Sequence, residues 1–213
     1  MTITRRDTII LATAASLAFA TGLGTVQAQE GTTQDVAALA NVALPDKVLG
    51  NPDAEVTVIE YASPTCPHCA AFHTDVYPQF KAEYVDTDKV KYVLRPFTRN
   101  VLDAVVFMLA EAAGEERYFE VVNTYFRTFQ QWASSDRPRD AILEIAKQLG
   151  FTDESFEAAL TNQDLFTAME TMREQALNEF NLEGTPTFYI NGKQLTGGKT
   201  LEELKAEIDP LLT

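Results

Sequence analysis

The C-P-H-C stretch at residues 66–69 constrains the fold of this chain most, because it holds the only two cysteines in 213 residues. The nearly continuous apolar run at residues 56–62 precedes it and predicts a buried strand. Apolar residues then recur at helical spacing between residues 70 and 80, which predicts an amphipathic helix. Cys66 is therefore expected at a turn from strand to helix, with Cys69 one helical turn further along.

The position of Cys66 at a helix start indicates redox chemistry. Unpaired backbone N–H groups and the positive end of the helix dipole would stabilise its thiolate, lower its pKa and make it the attacking sulfur. Pro67 suits the first helical turn. His68 lies between the sulfurs, where it can donate a hydrogen bond or a positive charge to the thiolate. That contribution would stabilise the reduced form and make the disulfide a stronger oxidant, with Cys69 as the resolving thiol.

Two other interpretations of the cysteine pair are weaker. A purely structural disulfide is disfavoured because so small a ring restrains little of the unfolded chain. Cys66, Cys69 and His73 fall on one helical face, so a soft-metal carrier is a non-enzymatic alternative. Structural zinc sites usually have four ligands, and the chain has no third cysteine. We therefore expect no metal at this site.

Glu60 is the unusual residue of the strand that precedes the cysteines. Alternation places it on the same face as Val56 and Val58, so its carboxylate is expected to be partly buried. Burial would raise its pKa, which suits a group that accepts or relays a proton when Cys69 reacts. The alternative is that Glu60 lies at the strand end and meets water or a lysine.

Residues 1–28 have the pattern of a cleavable signal peptide. Arg5 and Arg6 precede an apolar run at residues 9–20, and small residues at 26–28 suit a cut before residue 29. The run is short for a membrane span, although an uncleaved anchor is the alternative. The arginine pair also occurs in twin-arginine signals, but a polar residue stands where that motif prefers an apolar one. Sec export to an oxidising compartment is therefore expected.

The charge of the chain excludes several classes of partner. The formal net charge is −14, and removal of residues 1–28 takes away two arginines and one aspartate, which leaves 15 basic and 30 acidic residues. Such an acidic chain is not expected to bind nucleic acid or anionic membranes. Residues 29–46 begin with a polar run and predict a mobile N-terminal tail with one short helical turn.

The remaining pattern is that of an α/β domain over residues 47–213. A short strand at residues 48–49 precedes the strand at residues 56–62, and a second long strand is expected at residues 90–97. Strand, helix and strand in this order imply a parallel βαβ unit, in which Pro78 should kink or end the helix.

Residues 101 to about 182 show helical periodicity only, which predicts an inserted subdomain of about five helices. The aromatic stripe that ends at Trp132 is expected in its core, with a place in a substrate groove as the alternative for Trp132 or a neighbour. The chain then returns to a strand at residues 184–190. The hairpin signal Asn191-Gly192 follows, and Thr200 caps a last helix.

These features together carry a family resemblance. The C-P-H-C motif, Glu60 six residues before Cys66, the helical insertion, G-T-P-T-F at residues 184–188, the hairpin and the closing helix resemble the DsbA-like branch of the thioredoxin superfamily. The resemblance covers residues 47–213. It implies an α/β, thioredoxin-like fold with an all-helical subdomain inserted between the second strand of the βαβ unit and a cis-proline hairpin.

The resemblance also implies roles for residues near the motif. Pro186 would be a cis-proline that faces the cysteine pair, and the backbone of Thr185 would pair with a substrate peptide as an added strand. The implied function is that of an exported thiol:disulfide oxidoreductase, a dithiol oxidase that donates its Cys66–Cys69 disulfide to reduced secreted proteins. A DsbB-type membrane partner would reoxidise the pair in the periplasm, and no bound cofactor is needed.

One departure from the family pattern leaves alternatives open. Thr185 stands where the best-known periplasmic oxidases carry valine, and threonine there is common in disulfide isomerases. An isomerase or reductase is therefore the alternative function. The exported isomerases resemble two-domain dimers, for which residues 29–46 are too short, so we expect a monomer. A peptide-binding chaperone with an incidental disulfide is a third, weaker hypothesis.

Overall fold

A computed structural model describes residues 32–213. The predicted signal peptide at residues 1–28 lies outside the described residues. The described part is built on a five-stranded mixed sheet with strand order β1-β3-β2-β4-β5. The strands are β1 (Val48–Gly50), β2 (Val56–Ala62), β3 (Val90–Pro96), β4 (Thr187–Ile190) and β5 (Lys193–Thr196).

The centre of the sheet confirms the predicted βαβ unit. Strand β2 pairs parallel with β3 and antiparallel with β4, so it is hydrogen-bonded on both sides. Val58 and Ile59 are consecutive residues of β2, and they belong to two separate hydrophobic clusters of the core. Because consecutive strand residues face opposite sides of a sheet, β2 is covered on both faces. A strand covered in this way needs the continuous apolar run that residues 56–62 provide.

The predicted hairpin joins β4 to β5. Asn191 and Gly192 both have positive φ, 45° and 91°, as the tight turns that join antiparallel strands require. A Cβ atom on Gly192 would lie 2.5 Å from the backbone oxygen of Gln34, so this position needs glycine for space as well as for its backbone angle.

The helices surround the sheet and include the predicted insertion. Six α-helices lie between β3 and β4, in agreement with an all-helical subdomain over about 101–182. The helices are α1 (Val36–Ala40), α2 (Pro67–Ala71), α3 (Tyr77–Phe80), α4 (Val101–Ala112), α5 (Tyr118–Arg127), α6 (Phe129–Trp132), α7 (Pro138–Gln148), α8 (Asp153–Ala159), α9 (Gln163–Asn178) and α10 (Leu201–Ile208).

The core of the insertion is aromatic, as its stripe predicted. Trp132 is fully buried and donates from its indole N–H to the backbone oxygen of Tyr125, at 2.9 Å. Its ring also meets the ring of Tyr125 edge to face. Trp132 is therefore a core residue, and the alternative that it lines a substrate groove is wrong because no part of it is exposed.

The helical path that begins at Pro67 does not end at Pro78. A π-helical turn over Phe72–Val76 lies between α2 and α3, and a second one over Lys81–Val85 follows α3. Proline has no N–H to donate and its ring crowds the preceding turn. Widened turns are one way in which a helix passes such a residue. Pro78 thus coincides with a local distortion rather than with the helix end.

Part of the segment predicted as a mobile tail over residues 29–46 lies against the sheet. From residue 32 onward the segment packs on the sheet, with Leu39 buried. The guanidinium of Arg95, which is 1% exposed, donates to the backbone oxygen of Leu39 at 2.6 Å and to both carboxylate oxygens of Asp46. A buried cation needs such partners. The segment is therefore hydrogen-bonded to Arg95, a cationic residue of β3.

Within residues 32–213, no helix is both long and apolar enough to cross a membrane.

Candidate active site

The cysteine pair lies where β2 gives way to α2. Cys66 has extended backbone angles and is the residue before the first helical turn, with Pro67 at the helix start and Cys69 within the helix. The backbone oxygen of Cys66 accepts from Ala70 N–H at 3.0 Å, which closes the first helical turn. Cys66 is 3% exposed and Cys69 is fully buried, and both are free thiols. The predicted strand-to-helix turn is confirmed.

The environment of Cys66 favours its thiolate. The hydrogen bond from the Cys69 side chain contributes most, and the Thr185 side chain and the backbone N–H groups of Cys69 and His68 add to it. These groups outweigh the effect of burial and lower the pKa of Cys66 to about 5. In its thiol form, Cys66 Sγ instead donates to the backbone oxygen of Thr185, at 3.2 Å.

The environment of Cys69 has the opposite effect. Burial raises the pKa of Cys69 well above the ordinary value of a thiol, and the hydrogen bond and negative charge of Cys66 add to the rise. The charge of Glu60 raises it further. The pKa values of the two thiols are thus shifted in opposite directions, which favours a thiolate at Cys66 and a protonated thiol at Cys69.

His68 lies beside the pair, at the mouth of a cleft. Its side chain is exposed, as is that of Pro67. The contribution that it makes to the pKa of Cys66 comes from its backbone N–H. Both residues border a cleft of about 400 Å³. The cleft is lined by Cys66, Pro67, His68, Phe97, Arg99, Glu183, Gly184 and Thr185.

The peptide bond between Thr185 and Pro186 is cis, as the resemblance implied. It immediately precedes β4, whose first residue, Thr187, pairs with Tyr61 of β2. Pairing with β2 brings the residue before the proline to the cysteine turn, because Cys66 lies only four residues after the end of β2. The backbone oxygen of Thr185 consequently lies within hydrogen-bond distance of Cys66 Sγ.

Glu60 is buried more completely than predicted. Its side chain has no exposed surface, and Oε1 lies 3.1 Å from Nε2 of His73, which is also fully covered. The hydroxyl of Tyr92 donates to Oε2 at 2.5 Å. The alternative in which Glu60 meets water or a lysine is wrong, because its partners are a histidine and a tyrosine from the protein interior.

The same geometry gives His73, the third ligand of the alternative metal site, other partners. Nδ1 of His73 lies 2.7 Å from Oδ1 of Asn123, while Nε2 faces Glu60. Both ring nitrogens therefore have partners away from Cys66 and Cys69. Among residues 32–213, no group of three or more histidine, cysteine or acidic side chains is placed to hold a metal ion.

Asp103 is a part of the site that the sequence did not indicate. Its buried carboxylate accepts from Thr65 N–H at 2.7 Å, from the Ser63 hydroxyl at 2.9 Å and from Arg99 N–H at 2.8 Å. Burial raises its pKa. In sequence, Asp103 resembles any acidic residue in the first turn of a helix, here α4, which follows the N-cap residue Asn100. Its carboxylate fixes the turn that leads into Cys66.

Comparison with known proteins agrees with this geometry. The thioredoxin family model matches residues 43–210, which is most of the chain. The crystal structure of alpha-DsbA1 from Wolbachia pipientis superposes with a TM-score of 0.76 and 28% identity, over 82% of this chain and 94% of that one. The chain belongs to the DsbA-like branch of the thioredoxin superfamily.

Other DsbA-like relatives carry names that concern disulfide chemistry. A putative protein-disulfide oxidoreductase of Rickettsia conorii is 34% identical over 170 residues, which are 78% of this chain and 60% of the relative. The chain thus spans about 60% of the length of that relative. A protein-disulfide isomerase structure from Novosphingobium aromaticivorans is 26% identical with a TM-score of 0.69, over 79% of this chain and 99% of that one.

Proposed function

We propose that this protein is a thiol:disulfide oxidoreductase that acts mainly as a dithiol oxidase. The observation that carries the proposal is that the two thiols have opposite pKa shifts: the pKa of Cys66 is lowered to about 5 and that of Cys69 is raised. Membership of the DsbA-like branch and the name of the Rickettsia relative support it. The substrates would be reduced exported proteins.

The reaction begins with a Cys66–Cys69 disulfide. A substrate thiolate attacks Cys66 Sγ, the disulfide breaks, and Cys69 leaves and takes up a proton. Glu60 is our candidate for the group that exchanges this proton. A second substrate thiolate then attacks the substrate sulfur of the mixed disulfide and expels the Cys66 thiolate. The substrate gains a disulfide and loses two electrons, which the cysteine pair holds as one thiolate and one thiol.

The low pKa of Cys66 favours this direction for two reasons. At pH 7 the reduced protein holds Cys66 as a thiolate, so the reduced state is stabilised relative to the disulfide, which becomes a stronger oxidant. A thiolate of low pKa is also a good leaving group, which speeds release of the oxidised substrate. A site built for a reductase would instead stabilise its disulfide.

The cleft beside Cys66 is our candidate for the substrate site. The backbone of Thr185 would pair with an extended substrate peptide, and the exposed faces of Pro67 and His68 would contact it. The cationic Arg99 lies on the same cleft as the anionic Glu183. Because the two charges offset each other, the cleft suits peptides of varied sequence more than it suits one charged motif.

Disulfide isomerisation is the second candidate function. Thr185 before the cis-proline and the likeness to the Novosphingobium protein-disulfide isomerase both favour it. The two functions predict different behaviour, since an isomerase corrects a scrambled substrate that a monomeric oxidase leaves unchanged. Recovery of activity from scrambled ribonuclease, together with the oligomeric state from sedimentation, would separate them.

We also propose that the protein is exported to the periplasm and reoxidised there by a DsbB-type membrane protein. Cleavage after Ala28 would leave a chain that starts at Gln29. N-terminal sequencing of protein recovered from the cell envelope tests the cleavage. Retention of residues 1–28 in that protein would contradict it.

The catalytic roles are tested by transfer of a disulfide to a reduced model peptide that holds two cysteines. Cys66→Ala should abolish transfer, because no mixed disulfide can form. Cys69→Ala should also fail to transfer a disulfide, because it cannot form the Cys66–Cys69 disulfide, although its Cys66 should still form a mixed disulfide with a small thiol. Tyr125→Phe, which loses only a buried hydrogen bond to Ile142 in the insertion, is the control for folding. Transfer retained by Cys66→Ala would refute the proposal.

A further inference from the structure

Two loops with opposite charges flank the cysteine turn at one end of the sheet. The last residue of β3 pairs with the last residue of β2, and the first residue of β4 pairs with the residue before it. Strands β3 and β4 lie on opposite sides of β2, and Cys66 follows the end of β2. The loop after β3 carries Arg99 and the loop before β4 carries Glu183. The two loops therefore approach Cys66 from opposite sides.

Both charged side chains reach the cleft beside Cys66. Arg99 and Glu183 are exposed, and both line the cleft. Neighbouring strands of a sheet lie about 4.8 Å apart, so loops that leave the sheet two strands apart are separated by about 10 Å. An extended peptide advances about 3.3 Å with each residue, so about three of its residues cover that distance. A peptide bound in the cleft can therefore meet both charges at once.

The backbone is held in place on each side of the cleft, while the charged groups have no ion-pair partner. The N–H of Arg99 donates to Oδ2 of Asp103 at 2.8 Å. Next to Glu183, the N–H of Leu182 donates to the backbone oxygen of Ala176 at 3.0 Å. Within residues 32–213, neither Arg99 nor Glu183 forms an ion pair. Each charge is therefore available to a substrate.

The other charged side chains near the cleft already have partners. Glu170 accepts a hydrogen bond from the hydroxyl of Thr98 at 3.2 Å. The guanidinium of Arg173 lies 5.9 Å from the centre of the Phe97 ring and pairs with Glu174. The cation and the anion that line the cleft are thus the charges left for a substrate to meet.

We propose that Arg99 and Glu183 are specificity-determining residues that read the order of charges around the substrate cysteine. The inference rests on the proposed oxidoreductase function and names the class of peptide that the cleft favours. The two charges cancel in sum, so the net charge of a substrate has little effect. They differ in place, so the favoured peptide carries an acidic side chain on the Arg99 side of its cysteine and a basic one on the Glu183 side. The same peptide with these two side chains exchanged binds more weakly.

The substrate residues that meet these charges lie two positions before and two positions after the cysteine. Alternate side chains of an extended peptide point to the same side, so these two residues face the protein together with the cysteine. They are about 13 Å apart along the backbone, a span that long charged side chains on both partners can bridge. Because exposed ion pairs are weak, replacing two attractive contacts by two repulsive ones should change the affinity by roughly fivefold at low salt.

The test is a competition between two peptides for Cys66 in the Cys69→Ala variant. Both peptides have blocked ends, one cysteine and the same composition. One carries glutamate two positions before the cysteine and lysine two positions after it, and the other carries them exchanged and isotope-labelled. Protein and peptides are equilibrated in a thiol–disulfide buffer, quenched with acid, and the two mixed disulfides are counted by mass spectrometry. The ratio in urea-unfolded protein corrects for differences between the peptide thiols.

We expect the two mixed disulfides to differ in amount by roughly fivefold at low salt and to become nearly equal in about 1 M salt, which screens exposed charges. The direction of the bound peptide sets which order is preferred. Arg99→Glu/Glu183→Arg should reverse the preference, because it exchanges the two charges at constant net charge. Arg137→Glu/Asp140→Arg is the matched control, since it exchanges an exposed ion pair at the start of α7, outside the cleft, and should keep the preference.

Equal amounts of the two mixed disulfides at low salt would overturn the inference. So would a preference that persists in about 1 M salt, one that the exchange at residues 99 and 183 leaves unchanged, or one that the control exchange reverses. Failure of Cys66 to form a mixed disulfide with either peptide would instead refute the proposed function.

Discussion

Acidification should destabilise the reduced protein through Cys66. The pKa of this thiol falls from its ordinary value of 9.0 to about 5 on folding. Because the folded pKa is the lower one, the thiolate contributes stability above pH 5, and the contribution is lost as the pH falls through 5. At pH 7 the Cys66 thiol of the folded protein is two pH units above its pKa and is ionised, whereas the thiol of the unfolded chain is still protonated. With about 1.4 kcal/mol for each pKa unit, the contribution at pH 7 is about 3 kcal/mol.

The assay is denaturant unfolding of the reduced protein at pH 4, 5, 6 and 7. Other acidic groups also titrate in this range, so the quantity of interest is the difference in unfolding free energy between wild type and Cys66→Ser. We expect this difference to grow by about 3 kcal/mol from pH 4 to pH 7 in favour of wild type. Oxidised wild type, which has no thiolate, should lack the effect. Parallel pH dependences for reduced wild type and Cys66→Ser would refute the stabilised thiolate.

Three other substitutions test the surroundings of the site, each by denaturant unfolding. Asp103→Ala leaves three donors without their acceptor and should lower the free energy of unfolding by about 3 kcal/mol. A decrease of less than about 1 kcal/mol would contradict the role of Asp103 in fixing the cysteine turn. Gly192→Ala places a Cβ against the backbone oxygen of Gln34 at positive φ and should cost more than about 1 kcal/mol, whereas a neutral effect would mean that the turn relaxes. Asp46→Ala leaves the Arg95 guanidinium without its carboxylate and should cost about 3 kcal/mol; unchanged stability and unchanged hydrogen exchange in residues 32–46 would show that the segment is not held by this contact.

Local features of the site could be predicted from the sequence. The strand at residues 56–62, the helix start at Pro67 and the hairpin at Asn191-Gly192 depend on neighbouring residues, so periodicity and turn chemistry reveal them. Burial of Glu60 followed from strand alternation in the same way. The cis bond before Pro186 came from the family resemblance alone, because most bonds before proline are trans.

Long-range features could not be predicted. Asp103 holds a turn almost forty residues earlier in the chain, and its sequence context is that of an ordinary helix start. The contacts of Arg95 with Leu39 and Asp46 link the segment at residues 32–46 to β3, and the burial of Arg95 depends on the assembled sheet. The contact between His73 and Glu60 depends on how the π-helical turn faces β2, which periodicity does not specify.

The reduction potential of the Cys66–Cys69 pair tests the central claim most directly. Purified mature protein is equilibrated in glutathione buffers of known ratio, and free thiols are trapped and counted. A stabilised Cys66 thiolate predicts a potential more positive than about −180 mV, the value typical of protein disulfide isomerase. A potential near about −270 mV, the value of thioredoxin, would mean that the disulfide is the favoured state and would contradict the oxidase assignment.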